Sequence, residues 1–211
     1  MSNFELLHQK PSKMSESIAY KITQVLKFTL NIFYGTKYAK RAVILETIAA
    51  VPGMVAGMLN HLKALRRMRD DEGWVRELLD EAENERMHLM IFLDIAKPTW
   101  IERTLVLLGQ GAFLFVYTFL YVLSSKTAHR VVGYFEEEAC KSYTEFLEKI
   151  DAGVVENVAA PKIAKDYYKL PKEALLRDVV LRIREDEAKH RDRNHEFADS
   201  FESNDLPSHQ Q

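Results

Sequence analysis

Glu83-Asn84-Glu85-Arg86-Met87-His88-Leu89 decides how this chain is read. Glu85 and His88 stand three residues apart, and on a helix side chains at that spacing share one face. A second pair, Glu187 and His190, lies about a hundred residues downstream within Arg184-Glu185-Asp186-Glu187-Ala188-Lys189-His190. Four-helix bundles that hold two iron or manganese ions take such a pair from each of two helices, and a lone inward Glu from each of the other two. Both lone acids are present. Glu46 sits in Arg41-Ala42-Val43-Ile44-Leu45-Glu46-Thr47-Ile48-Ala49-Ala50-Val51, with no base nearer upstream than Arg41. Burying an unpaired carboxylate is costly, so either Glu46 faces water or something cationic meets it. Glu136 opens Glu136-Glu137-Glu138-Ala139-Cys140 after an apolar run, and three adjacent acids repel unless a cation neutralises at least one.

Either Glu-x-x-His pair alone reads most simply as a solvated helix face. The alternation Glu46, Glu85/His88, Glu136, Glu187/His190 points instead to a metal site built from two similar helix pairs. Two other matches are set aside: Glu5 with His8, in a tail without a partner helix, and Asp192 with His195, at a helix end expected to fray.

With 211 residues the chain makes one domain of ordinary size. Charged residues make up 28% and the net charge is -2, so the balance suggests no nucleic-acid partner. The single cysteine, Cys140, excludes an internal disulfide framework and any Cys-based zinc or iron-sulfur site. Residues 1–13 show neither the pattern of a secretory signal nor the Arg-rich, acid-poor composition of an organelle leader.

No strand-like alternation appears, so the expected class is all-α: a ferritin-like four-helix bundle with a dimetal carboxylate core and two additional membrane-associated helices. Six long helices are expected at about 17–33, 38–69, 73–96, 99–124, 127–150 and from Pro171 onward, in one domain over 17–201. Residues 1–16 and 202–211 are expected to be flexible tails. The first helix carries an apolar stripe (Ile18, Ile22, Val25, Leu26, Leu30, Phe33) flanked by Lys21 and Lys27, and the second bends near Pro52-Gly53. Residues 104–125 carry no charge and are long and apolar enough to span a bilayer. Crossing would separate Glu85 and His88 from Glu136, so the fourth helix is either the core of the bundle or embedded in one leaflet. The amphipathic first helix and the basic end of the second suit an interfacial mount on anionic lipid.

Four carboxylates and two imidazoles without thiolate favour iron or manganese over structural zinc, and their charge roughly balances two divalent ions. Between them such ions deliver two electrons to dioxygen. Asn84 and Asp186 each precede a ligand Glu and are candidates to orient the imidazoles. Tyr143 lies two helical turns beyond Glu136, with Ala139 between, where a phenol could relay a proton and an electron or simply pack in the core.

At these residues the sequence resembles the alternative oxidase family, membrane-bound di-iron ubiquinol oxidases. The resemblance runs over about 34–201 and rests on Leu45-Glu46-Thr47, Asn84-Glu85-Arg86-Met87-His88-Leu89, Glu136-Glu137-Glu138-Ala139 and Asp186-Glu187-Ala188-Lys189-His190. It implies a homodimer in one leaflet, with the first and fourth helices as membrane surface. Ubiquinol would be oxidised by oxygen, giving water, without proton pumping, at two oxygen- or hydroxide-bridged irons held by Glu46, Glu85, His88, Glu136, Glu187 and His190. Tyr143 falls on the redox-active tyrosine, and Arg41, Leu45 and Ala139 on the quinol pocket. Ser142 stands where many members have Thr in the pocket wall, and Phe135 replaces the usual Leu. The plant-type regulatory cysteine is missing, and the short start looks more like a bacterial member, on the cytoplasmic face of an inner membrane, than a mitochondrial precursor bound for the matrix face. Two other readings remain: a different membrane di-iron catalyst, such as a quinone-ring hydroxylase or ferroxidase, and a metal-free helical membrane-interaction protein.

Overall fold

A computed structural model of the chain describes residues 8–34 and 37–201, the side chains of residues 29–34 excepted. The expected tail 202–211, and 1–7 of the N-terminal one, lie outside the described residues. Within them the fold is all-helical: α1 Met14–Tyr34, α2 Tyr38–Arg67, α3 Trp74–Ala96, α4 Trp100–Leu123, α5 Ser125–Asp151, α6 Lys162–Tyr168 and α7 Leu176–Ser200. Six of these are the long helices expected from periodicity. The seventh, α6, is a short helix in what reads as a loop. It also displaces the start of the last helix: Pro171 lies in a turn rather than in a first helical turn, and α7 begins at Leu176, with the Asp178 carboxylate accepting from the Leu175 N–H.

Local signals explain the boundaries. Pro98 cannot continue α3, and Thr99 then caps α4 in a reciprocal box with Glu102. Ser124 accepts from Thr127 N to start α5, so α4 and α5 meet at one residue. α2 continues through Pro52.

α2 packs on α3 and α5 on α7, and these four helices form the bundle; α1 lies on α5, while α4 lies on α2 and α5. One apolar cluster, with Phe92, Phe146, Val179 and Ile183, fills the bundle on one side of the site. Another, with Leu78, Tyr117, Ala128 and Phe197, fills the other. Close approach of α2 to α3 depends on Gly53, where an added Cβ would lie 2.5 Å from the Leu78 carbonyl oxygen.

The fourth helix is not the core of the bundle. Only Tyr117 and Tyr121 of α4 are buried, and Leu107, Leu108, Phe115, Phe119 and Val122 are each about two-thirds exposed or more. On α1, Ala19 and Thr23 turn toward α5 while Ile18, Val25 and Phe28 are exposed, so the expected stripe divides between the bundle and the outside.

Residues 8–16, expected as part of a tail, pack on the bundle. His8 Nδ1 lies 2.5 Å from Glu137 Oε2, and the Gln9 N–H donates to Glu137 Oε1 at 2.9 Å. His195, expected at a fraying end, is 8% exposed because α7 runs on to Ser200. Its Nδ1 accepts from Arg130 and its Nε2 donates to the same Glu137. Gly133 makes room for that ring, since a Cβ there would come within 2.5 Å of it. The three adjacent acids of α5 thus part company, as a turn of about 100° per residue requires. Glu136 faces the bundle interior, Glu137 meets His8 and His195, and Glu138 pairs with Lys27 and Lys141.

Candidate metal centre

Glu46 comes from α2, Glu85 and His88 from α3, Glu136 from α5, and Glu187 and His190 from α7. The structure brings all six together. Their donor atoms form two groups, Glu46/Glu85/His88/Glu187 and Glu85/Glu136/Glu187/His190, each with its atoms within 4.8 Å of one another. Glu85 and Glu187 belong to both.

The contacts are those of groups aimed at a common cation. His190 Nδ1 stands 2.6 Å from Glu85 Oε1, yet neither atom makes a hydrogen bond. Both Glu85 oxygens and Glu187 Oε1 are buried without a hydrogen-bond partner. Leaving such atoms unpaired costs on the order of 1–3 kcal/mol each, more when charged. His88 Nδ1 lies 3.2 Å from Glu46 and 3.2 Å from Glu187.

Electrostatics agree. Burial, then the charge on Glu85, pushes both Glu46 and Glu136 up to about 8. Burial and the neighbouring acids drive Glu187 well above its usual range. Burial also opposes ionisation of Glu85, but His190 and His88 hold it well below the usual carboxylate value. Without a cation Glu46, Glu136 and Glu187 therefore retain protons while Glu85 is ionised, and a cation of sufficient charge would displace those protons. The donor set fits a pair of divalent ions in number, proximity and hardness.

The outer nitrogen of His88 is fixed by neighbours. Tyr168 Oη donates to Asp186 Oδ2 at 2.9 Å and lies 2.8 Å from His88 Nε2, so it accepts the Nε2 proton and leaves Nδ1 facing the acids. Burial opposes a charged ring, but Glu46, Asp186 and Glu187 raise it well above the usual imidazole value, so the Nδ1 proton is one a cation would displace. Asn84 Nδ2 donates to Asp186 at 3.3 Å and to Tyr167 Oη at 2.7 Å. The two candidates for orienting the imidazole thus stand around His88. Tyr168, which carries the contact, was missed by sequence reasoning and has no local signal, because α6 brings it from a distant segment.

Glu81 was missed too, although it precedes Glu85 by one turn on the same face. It is buried, raised to about 7 by that burial, and its carboxylate accepts from Asn194 Nδ2 at 3.0 Å. The same Nδ2 donates to the His190 carbonyl, and Asn194 Oδ1 accepts from His129 Nδ1.

Tyr143 is buried, stacks on Phe92 at 5.8 Å and donates its hydroxyl proton to Glu46 Oε1. Burial, then the charges of Glu46 and Glu187, raises its phenol well above the usual value, so it stays protonated. Leu45 and Ala139 line a small cavity whose floor is Glu46, Glu136 and Glu187. Arg41 and Ser142 lie outside that lining, each one helical turn from it along the same faces of α2 and α5. A larger cavity of about 200 Å³, between α2, α3 and α4, includes none of the six donors.

A helical bundle that buries four carboxylates around two imidazoles, with no lysine or arginine among the main charges acting on them, defines a class: helical bundles whose buried donors are compatible with a metal centre between the helices. Within it, this chain belongs to the alternative oxidase family, whose family model matches residues 1–199. It is 55% identical to ubiquinol oxidase 2, mitochondrial, of Nicotiana tabacum over 89% of this chain and 63% of the relative. The identity is again 55% to ubiquinol oxidase 2, mitochondrial, of Arabidopsis thaliana, over 91% and 54%. It is also 55% to the mitochondrial ubiquinol oxidase of Batrachochytrium dendrobatidis, over 92% and 61%. The chain thus spans between 54% and 63% of the length of these relatives.

Proposed function

We propose that this chain is a ubiquinol:oxygen oxidoreductase that passes electrons from ubiquinol to dioxygen, giving water. The observation that carries the reading is the pair of overlapping donor groups, each with one imidazole and one acid of its own and sharing Glu85 and Glu187. Such sharing suits two adjacent ions: Glu46 and His88 would serve one, Glu136 and His190 the other, and Glu85 and Glu187 would be within reach of both. Two irons, held by these six side chains, would supply the paired electron transfer that dioxygen reduction requires.

The chain's own residues do the rest. Asp186, Tyr168 and Asn84 hold the His88 ring in the tautomer that presents Nδ1. Tyr143 keeps a proton at its hydroxyl, hydrogen-bonded to Glu46, where a proton and an electron can leave together. Leu45 and Ala139 flank the approach of a quinol ring, and Arg41, whose buried Nε has no hydrogen-bond partner, stands one turn away to receive a quinol oxygen.

The exposed apolar faces of α1 and α4 support a mount in one leaflet of a membrane. A cluster reached from one side alone oxidises quinol without moving protons across the bilayer. Along α2, Met54, Met58, Leu62 and Leu65 leave an exposed apolar stripe that suits a second copy of the chain, giving a homodimer. The relatives above are mitochondrial by name and lend no support to a bacterial membrane; the same mount serves the matrix face.

Iron content measured together with ubiquinol-dependent oxygen uptake tests the reading. Close to two irons per chain and uptake without hydroxylated quinone are expected. Two irons with hydroxylated quinone, or with no quinol-dependent uptake, would turn the assignment to another di-iron chemistry, and no bound metal would leave a helical membrane protein.

A further inference from the structure

The cavity that reaches the donor cluster is too small for the ring it is meant to admit. Leu45, Ile48 and Pro52 of α2 face Val132, Phe135 and Ala139 of α5 above the buried acids, and the space between them is about 20 Å³. That holds roughly one water molecule, whereas a substituted benzoquinol ring is several times larger. The remaining space is taken by aromatic rings. Phe113 of α4 meets Phe135 edge-on, with centroids 6.2 Å apart at 83°. Both rings are half-buried, while Glu46, Glu136 and Glu187 beneath them are buried. The pair therefore stands between the outer apolar face of α4 and the cluster.

We propose that Phe113 and Phe135 form an aromatic gate over the donor cluster, and that Phe135 sets which quinol ring substituents pass it. The inference rests on the quinol-oxidising reading above. Swinging the Phe135 ring to another rotamer joins the small cavity to the α4 side without unwinding a helix. Phe113 is placed to follow. On one side it stacks on buried Tyr117, with centroids 5.7 Å apart. On the other, Gly109 and Gly111 have open space where a Cβ would sit, so no neighbour presses on those positions of α4. An edge-to-face contact keeps the pair closed at rest and is lost when either ring turns.

Leucine at either position removes the ring edge and keeps the apolar surface. Wild type, Phe135→Leu, Phe113→Leu and the double variant are compared with two short-tailed quinols that differ only in bearing methoxy or methyl groups at the same ring positions. In Phe135→Leu the ratio of kcat/KM values should move about tenfold toward the bulkier methoxy ring, through KM, with kcat within about twofold. The two single effects should combine non-additively in the double variant, as expected of groups in contact. Binding of the two corresponding oxidised quinones, followed by titration calorimetry, needs no turnover and should shift in the same direction. Ratios of kcat/KM and of Kd that stay unchanged in folded variants, or effects that simply add, overturn the gate. A Kd shift in a protein that oxidises neither quinol keeps the gate and overturns the oxidase reading instead. Quinones that fail to bind the wild type overturn both.

Discussion

Tyr143 and Glu46 share one proton-bearing contact, and their roles separate cleanly by substitution. Tyr143→Phe removes a hydroxyl and leaves all six donors in place, so iron content should stay near the wild-type value while turnover falls at least about a hundredfold. Glu136→Ala or His190→Ala should lose iron and turnover together; normal turnover in Tyr143→Phe would remove the phenol from the reaction. The shifted acids also give the metal-free protein a distinctive pH dependence. Glu46 and Glu136 titrate near 8 in the folded chain against 4.5 ordinarily, so their stabilising share is full below 4.5 and disappears as pH rises through about 8. His190 adds to this: burial opposes its charge, but the charge and close contact of Glu85 together with the charges of Glu81 and Glu136 raise it to about 9, so its share is full below 6.5 and lost through about 9. Glu85 acts oppositely, its share being present above 4.5 and lost on acidification. The Tm of stripped protein should therefore fall between about pH 4.5 and 9, and metal, which replaces those protons, should remove most of the slope. A flat profile without metal would contradict the arrangement. At this scale the donors were legible in sequence because Glu-x-x-His is a local pattern on one helix face. Tyr168 was not, since its contact with His88 joins residues eighty positions apart.

Among the elements, α2 and α3 depend on one missing side chain. Gly53→Ala places a methyl against the Leu78 carbonyl, a backbone atom that moves only with its helix, so stability should drop by about 1–3 kcal/mol in denaturant unfolding. An unchanged midpoint would show that the two helices part easily. Helix positions were readable from apolar periodicity, Pro98 and Ser124, but two features were not. The segment 152–175 looks like a loop because α6 is too short to show a period. The end of α7 looks exposed because its partners, Glu137 and Arg130, sit on α5 and leave no mark near His195.

For the molecule as a whole, α4 decides the relation to a membrane. Hydropathy rates α2 and α4 alike as long and apolar enough to cross one, and packing separates them: more than half of the apolar window in α2 is buried, against 11% in α4. A core helix and a lipid-facing helix have the same composition, which is why sequence left both readings open. Since α3 and α5, on either side of α4 in the chain, deliver Glu85 and Glu136 to one cluster, on the proposed mount α4 would enter and leave a leaflet from the same face. Labels at Arg103 and Lys126 in vesicle-bound protein should accordingly react with an impermeant reagent from one side only; reaction from opposite sides would mean a crossing. Helix order also matters on the ribosome. The oily flank of α4 emerges before α5, and Glu187 and His190 follow Glu136 by about fifty residues. On the proposed mount, a nascent chain would offer the apolar flank of α4 while the donor cluster still lacks Glu187 and His190, so contact with the bilayer would come before the metal site is complete.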